Sequence, residues 1–221
     1  MIKSVMTIYR WTEISGIPQE PGIYAWYYSP EITDYDLELA IEKINKFKQN
    51  NEREYAAKII ENFLEKNIFQ YFQEEPYQAF LEGSLKPTYK GYLEHKPIIS
   101  DSLVSRILEE PERLKTVKNV VQSSAPNFAS PIYIGMSDKL GKRLNQHKRL
   151  IEKYREEIFK ENTKIKDKEN IDQSFAMEVC RRNILPAQLF VVINIIKDNG
   201  KRYIDLENIL NRIHYPLLGR N

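Results

Sequence analysis

A chain of 221 residues has room for one good-sized domain, or for one domain carrying a large insertion. Its 42% hydrophobic and 29% charged residues are the balance of an ordinary globular protein, which excludes wholesale disorder. A single cysteine, Cys180, excludes an internal disulfide and argues against a cysteine-built zinc site, and a net charge of +2 leaves nucleic-acid binding to local surface rather than to the average.

No apolar run approaches the roughly 20 residues that span a bilayer. Met1-Ile2-Lys3-Ser4 lacks the apolar core of a secretory signal, and the expected compartment is a reducing cytoplasm. Residues 6–10 alternate weakly and read as a strand. Pro18 and Pro21-Gly22 punctuate a turn, and the aromatic run 23–28 follows as a second strand. After Pro30, residues 33–36 form a capping signal, and Leu37, Ile41, Ile44 and Phe47 recur at helical spacing. A second helix keeps Tyr55, Ile59, Phe63 and, after a drift in phase, Ile68 and Tyr71 on one face. Pro76 closes it, and residues 89–93 read as a short strand. Ser100-Asp101 caps a helix with Leu103, Ile107 and Leu108 inward. Pro111 stands as the first residue of another, carrying Leu114, Val117 and Val121.

A second β signal opens at Pro131 with Ile132, Tyr133 and Ile134, and Gly135 is expected to break the strand. Ser137 or Asp138 caps a long helix with Leu140, Leu144, Ile151, Tyr154 and Ile158 on one side. Lysines and glutamates crowd residues 160–170, a solvated loop or helix end. Residues 175–182 read as a helix, and 189–196 as the strongest strand in the chain. Asn199-Gly200 is a turn. Asp205 starts a last helix with Leu206, Ile209, Leu210 and Ile213 inward, ended by Pro216. Two β-containing parts thus flank a mostly helical middle, which reads as one α/β domain interrupted by an insertion.

Gly22-Ile23-Tyr24 and, much later, Tyr133-Ile134-Gly135 resemble the two name-giving motifs of the GIY-YIG nuclease family. Either tripeptide alone occurs by chance in many proteins, and the surroundings carry the resemblance. The second motif is followed by Ser137, Leu140, Arg143, Leu144 and His147, similar to the family's arginine and then histidine on the next helix. Glu207 stands near the start of a late helix, where the family has its metal-binding glutamate. Asn221 follows Pro216, where many members carry a terminal asparagine. The resemblance covers residues 15–30 and 128–221. It departs from the family between the two motifs, where nearly a hundred residues replace a short hairpin connection. An insertion at a hairpin tip can leave both strands paired.

The resemblance implies an α/β (α+β) fold with a small, three-stranded, mostly antiparallel sheet flanked by helices. The nuclease domain would be split into residues 1–30 and 128–221, around a mainly helical insertion at 31–127. It implies a metal-dependent endonuclease with one Mg²⁺ or Mn²⁺ on Glu207, Arg143 on the scissile phosphate and Tyr24 as general base. Tyr133 would position water or phosphate, and Asn221 would hydrogen-bond near either. The physical chemistry agrees. Phosphodiester hydrolysis needs an activated water, neutralised phosphate charge and help for the leaving oxygen. Arg143 and His147, four apart on a helix, share one side and can face one substrate. A free tyrosine, with a pKa near about 10, is a poor base at neutral pH. A cation must lower it, and Lys139, Lys142, the metal or a bound water are the candidates.

Singly, each residue has a plainer reading. Tyr24 and Tyr133 are half-buried strand tyrosines, Gly22 and Gly135 turn formers, His147 a packed histidine, and Arg143 and Glu207 solvated helix charges. Together and in order they favour the functional reading. His95 and His214 lack a motif, and Cys180 reads as packing. Lys43, Lys46, Lys48, Arg53, Lys58 and Lys66 of the insertion are interleaved with glutamates, as on a solvated face. A grip on nucleic acid that sets target choice is the sharper expectation, with the basic stretch from Lys142 through Arg155 and Lys168 as a second contact. DNA cleavage of restriction or mobile-element type leads. A repair or structure-specific nuclease, a non-cleaving nucleic-acid binder and a protein-interaction module are the alternatives. RNA stays open beside DNA, and monomer beside homodimer, although cutting a palindrome favours a symmetric dimer.

Overall fold

The computed structural model describes residues 6–73, 76–84, 86–93, 96–161, 174–196 and 203–219. His95, Lys168, the Asn199-Gly200 turn and Asn221 lie outside the described residues. The elements in chain order are β1 (Met6–Arg10), β2 (Gly22–Tyr28), α1 (Asp34–Gln49), α2 (Arg53–Leu64), β3 (Tyr77–Gly83), β4 (Lys86–Leu93), α3 (Asp101–Glu109), α4 (Arg113–Phe128), β5 (Tyr133–Ser137), α5 (Leu140–Glu161), α6 (Phe175–Arg181), β6 (Leu189–Ile195) and α7 (Tyr203–His214). They fall into two compact units, one of Met1–Ser29 with Gln122–Asn221 and one of Pro30–Val121, with the division inside α4. Among the described residues no helix is long and apolar enough to cross a membrane.

The first unit is built on one antiparallel sheet in the order β1-β6-β2-β5. It has four strands where three were expected. The apolar run of β6 makes a central strand, whose backbone groups need partners on both sides. β2 supplies one side and β1 the other, with Tyr9 opposite Val191. Met6 and Ile8 of β1 stay exposed, as an edge strand allows. Gly135 does not end β5. It lies opposite Tyr24, and a Cβ there would meet the Tyr24 Cζ and hydroxyl oxygen at 2.6 Å. Glycine at 135 therefore makes room for the Tyr24 ring. At Gly22 a Cβ would stand 2.2 Å from the Asn194 carbonyl oxygen, so the approach of β6 excludes any side chain.

Strand alternation puts Tyr24, Trp26 and Tyr28 on one face of β2, and Ile23, Ala25 and Tyr27 on the other. The first face is covered by α5 and α6. Trp26 stacks on Phe175 at 5.4 Å between ring centroids and lies edge to edge with His147 at 6.3 Å. The buried stripe of α5, Leu140, Leu144, His147 and Ile151, recurs every three or four residues. The second face carries Ile23 and Ile134, packed with Ala25, Met136 and, from α7, Leu210. The other apolar residues expected inward on α7, namely Leu206, Ile209 and Ile213, are exposed. The helix runs along β5, an edge strand, so one line of its side chains meets the sheet. Tyr215, at φ 43°, ends α7 in the left-handed region and Pro216 prevents its renewal. The Leu218 N–H then donates to the Ile132 carbonyl at 2.7 Å, tying the chain back to the start of β5.

The Ile132 N–H donates to the Trp26 carbonyl at 2.8 Å. The end of β2 and the start of β5 are therefore neighbours, and the long segment between them leaves and returns side by side. That segment forms the second unit, in which Ile41, Ile44, Ile60, Leu64, Val104 and Ile107 make a core with Leu114. Thr33 Oγ1 accepts the Asp36 N–H at 3.0 Å, and Ser100 Oγ the Leu103 N–H at 3.4 Å, so both helix starts sit at their local capping signals. α2 differs by one residue of phase. Tyr55 is exposed and the buried stripe is Ala56, Ile60, Phe63 and Leu64. Apolar residues at both 59 and 60 left the periodicity ambiguous. The drift beyond Phe63 is a π-helical turn, Glu65–Phe69, whose wider loop rotates the face. Pro111 lies in the turn before α4, which begins at Arg113. The unit is not wholly helical. β3 pairs with β4 in a hairpin, with Phe80 opposite Lys90. β3 was hidden because its sequence, Tyr-Gln-Ala-Phe-Leu-Glu-Gly, has no strict alternation.

Candidate active site

Beside the edge strand β5 lies a pocket of about 420 Å³. Tyr133 comes to it from β5, Arg143, Gln146 and His147 from α5, Ser174 and Phe175 from the start of α6, and Glu207 and Asn211 from α7. α5 covers one sheet face and α7 the other, so the edge is where their side chains can meet. Four of the expected residues, Tyr133, Arg143, His147 and Glu207, therefore line one space although 74 positions separate the first from the last.

Tyr24 stands behind this wall. It is 1% exposed and does not line the pocket. Its ring lies 6.2 Å from that of Tyr133 and 5.6 Å from that of His147, edge-on to the imidazole. Burial, and then the Tyr133 hydroxyl, push the Tyr24 phenol well above its ordinary pKa, while Arg143 pulls it down through a hydrogen bond and its charge. The cation facing Tyr24 is thus Arg143. Lys139 and Lys142, expected as candidates, are exposed at the start of α5. Burial works against the Arg143 charge, but the oxygens of Tyr24 and Tyr133 outweigh it and its pKa is raised. Arg143 also donates to Gln146 Oε1 at 3.1 Å.

His147 is a buried polar ring at 4% exposure. The Trp26 indole N–H donates to its Nδ1 at 3.2 Å, and its Nε2 stands 3.5 Å from the Tyr24 hydroxyl oxygen. Burial, then the charge of Arg143, lower its pKa to about 3, so the ring is neutral at physiological pH.

Glu207 is half-buried, and burial raises its carboxyl pKa against the pull of Arg143. Asn211, one turn later, donates through Nδ2 to the Glu207 carbonyl at 3.0 Å and lines the same pocket. Among the described residues no group of three or more His, Cys, Asp or Glu side chains could hold a metal ion. A tetrahedral cage of the zinc type is therefore not built from them. One carboxylate in a polar pocket of about 420 Å³ does fit a hard cation of the Mg²⁺ type, which keeps several waters and takes substrate oxygens as further ligands. Each water occupies about 30 Å³, so hydrated ion and phosphate can share the space.

The sequence reading missed Trp26 and Asn211. Trp26 lies two residues beyond Tyr24, hence on the same strand face, and Asn211 lies four beyond Glu207, hence on the same helix face. Those spacings were the available signals. Asn221, expected near the metal or phosphate, is outside the described residues, and the last described residue is Gly219. Cys180 is buried, its thiol directed to the Ile151 carbonyl at 3.6 Å and pushed up to about 11 by burial.

No protein-family model, curated protein or solved structure matches this chain.

Proposed function

We propose that this protein is a metal-dependent endonuclease that hydrolyses phosphodiester bonds in DNA, with a GIY-YIG-type site split by an insertion. The observation that carries the reading is the meeting of Tyr133, Arg143, His147 and Glu207 at one polar pocket, with the Tyr24 hydroxyl against its inner wall. A half-buried arginine facing a carboxylate and two tyrosine hydroxyls at a pocket wall presents its charge where a ligand can enter. It suits a reaction in which charge develops on phosphate oxygens.

Arg143 would give up its contact with Gln146 to hold the scissile phosphate by a charge-assisted fork, and would keep a further N–H on the Tyr24 oxygen. Glu207, with Asn211 beside it, would hold Mg²⁺ or Mn²⁺, which supplies charge neutralisation and Lewis acidity when bound. Tyr133, at the pocket wall, would position water or phosphate. Tyr24 would serve as the base. Burial keeps its proton on in the resting site, and the donors around its oxygen favour proton loss. General-base assistance of this kind is worth about 10²–10⁴-fold in rate.

Substrate grip falls to two places. The exposed side of α5 presents Lys142 and Arg149. In the second unit several helix lysines are engaged within it, since Lys118 pairs with Asp34 and Lys48 donates to the Glu109 carbonyl. The hairpin of β3 and β4 is the better candidate for target contact. Its Lys90 ammonium lies 5.6 Å from the Phe80 ring and 5.8 Å from the Tyr92 ring, and both rings are exposed. Exposed aromatic faces with a cation between them suit stacking and phosphate contact.

The test is incubation with mixed plasmid and phage DNA in Mg²⁺, in Mn²⁺ and in chelator, beside Glu207→Gln. Discrete metal-dependent fragments, absent with the variant, are expected. If wild type binds DNA but cuts neither it, RNA nor branched DNA in either metal, the chain is a binder that keeps the site's geometry.

A further inference from the structure

We propose that Trp26 is a positioning residue of this site: its indole N–H fixes His147 with the ring proton on Nε2, so that His147 donates to the Tyr24 oxygen and does not take a proton from it. The inference rests on the endonuclease reading for its catalytic consequence, but not for its hydrogen-bond assignment.

An indole N–H is a donor and nothing else. At 3.2 Å from His147 Nδ1 it requires that nitrogen to be an acceptor, so Nδ1 carries no proton. A neutral imidazole then carries its one proton on Nε2, which faces the Tyr24 hydroxyl oxygen at 3.5 Å. The opposite tautomer would set the Nδ1–H against the indole N–H and leave two buried donors without acceptors, an expensive arrangement. Turning the ring over would present carbon to both partners. The neighbours hold it in place: the Trp26 ring lies nearly coplanar with it, at an interplanar angle of 19°, and the rings of Phe175 and Tyr133 lie 5.3 Å and 5.8 Å away. With Nδ1 engaged and Nε2 already protonated, His147 has no lone pair to receive the Tyr24 proton.

The consequence is a direction for proton flow. Tyr24 oxygen receives donors from His147 and from Arg143. Two donors stabilise a phenolate and turn the remaining lone pair towards any water admitted from the pocket. His147 acts as a fixed donor throughout, and the proton that Tyr24 gives up when its phenolate forms goes to solvent water and not to the imidazole. Trp26 touches neither pocket nor substrate, being fully buried, and acts through His147. The simpler account is that Trp26 is a core aromatic whose N–H needed a partner. That account leaves the tautomer free to follow whatever partner remains when the indole is gone.

The experiment uses the full chain with nitrogen-15-labelled histidine and long-range proton–nitrogen correlation spectra. The chain has 3 histidines, and the His147 signals are identified by their loss in His147→Gln. In wild type one His147 nitrogen should be protonated and assigned to Nε2, the other an unprotonated acceptor, unchanged between about pH 8 and pH 5. Trp26→Phe should lose this bias and give a mixed or Nδ1–H ring, with kcat falling about tenfold or more and KM unchanged. A wild-type ring protonated on Nδ1, or charged at neutral pH, overturns the proposal. So does an unchanged Nε2–H ring in a folded Trp26→Phe. If that variant does not fold, the wild-type spectrum decides. If the spectrum is as stated and no nucleic acid is cut, the endonuclease reading fails while the assignment of the histidine stands.

Discussion

Replacing His147 by glutamine should cost stability at neutral pH and progressively less as the solution is acidified. In the folded protein the buried ring has a pKa of about 3, against 6.5 for an unhindered histidine. Below pH 6.5 the unfolded chain therefore binds a proton that the native state refuses until the pH nears 3. The unfolded state holds more protons throughout that window, so wild-type stability falls as pH falls, by up to about 1.4 kcal/mol per pH unit. Acidifying from about pH 7.5 to about pH 4.5 should cost wild type about 3 kcal/mol through this one group. Glutamine has no such term. Its own penalty, about 1–3 kcal/mol for a buried donor or acceptor left unpaired, should shrink, vanish or reverse over the same range. The assay is urea unfolding at several pH values, followed by tryptophan fluorescence. Both tryptophans of the chain, Trp11 and Trp26, belong to the unit that carries the sheet, so the signal reports that unit. A stability gap between the two proteins that stays constant within about 0.5 kcal/mol from pH 7.5 to 4.5 would mean that His147 titrates alike in both states. The buried, neutral ring between Trp26 and Tyr24 would then be wrong.

Gly135→Ala should destabilise the same unit by about 1–3 kcal/mol, since the added carbon meets the Tyr24 ring at 2.6 Å. Thermal unfolding reads the loss, and an unchanged Tm would deny that Tyr24 lies over β5. Arg143→Lys should keep the fold but cut kcat by about 10²-fold or more, because an ammonium cannot make the planar fork; near-normal turnover would reduce Arg143 to a mere positive charge. Tyr24→Phe should fold and lose at least about 10²-fold in kcat; full activity would move the base elsewhere, with Tyr133 the next residue to replace. Glu207 must be ionised to hold a cation, and burial raises its carboxyl pKa above the ordinary value. Cleavage should therefore fail on the acid side at a pH above the usual carboxylate range, and more Mg²⁺ should move that limb to lower pH. An acid limb indifferent to metal concentration would break the link between Glu207 and the ion.

Much of the local structure could be read without coordinates because its causes are local. Thr33 and Ser100 cap helices through side chains that reach only three residues ahead. The strands at 23–28 and 189–195 announce themselves by β-branched and aromatic runs, and the four-residue spacing of Arg143 and His147 puts both on one side of a helix. Periodicity failed where it had two answers. α2 offered apolar residues at 59 and 60 and buried the second, and α7 offered Leu206, Ile209 and Ile213 to a sheet edge that had room for Leu210. Residues 6–10 read as a strand, but its place as the fourth strand of the sheet depended on β6 needing a partner on each side, which no stretch of five residues records.

The site itself divides the same way. The amino-acid sequence determined which groups were available, namely two tyrosines beside glycines, an arginine and histidine one turn apart, and a late glutamate. Tertiary structure decided what each can do. It put Tyr24 behind the pocket wall, made Arg143 its facing cation, brought Asn211 beside Glu207, and joined Trp26 to His147 across 121 positions of chain. Protonation and tautomer follow from desolvation and from the one donor or acceptor within about 3 Å. Those are properties of neighbours in space, and for His147 both polar neighbours come from a strand more than a hundred residues earlier.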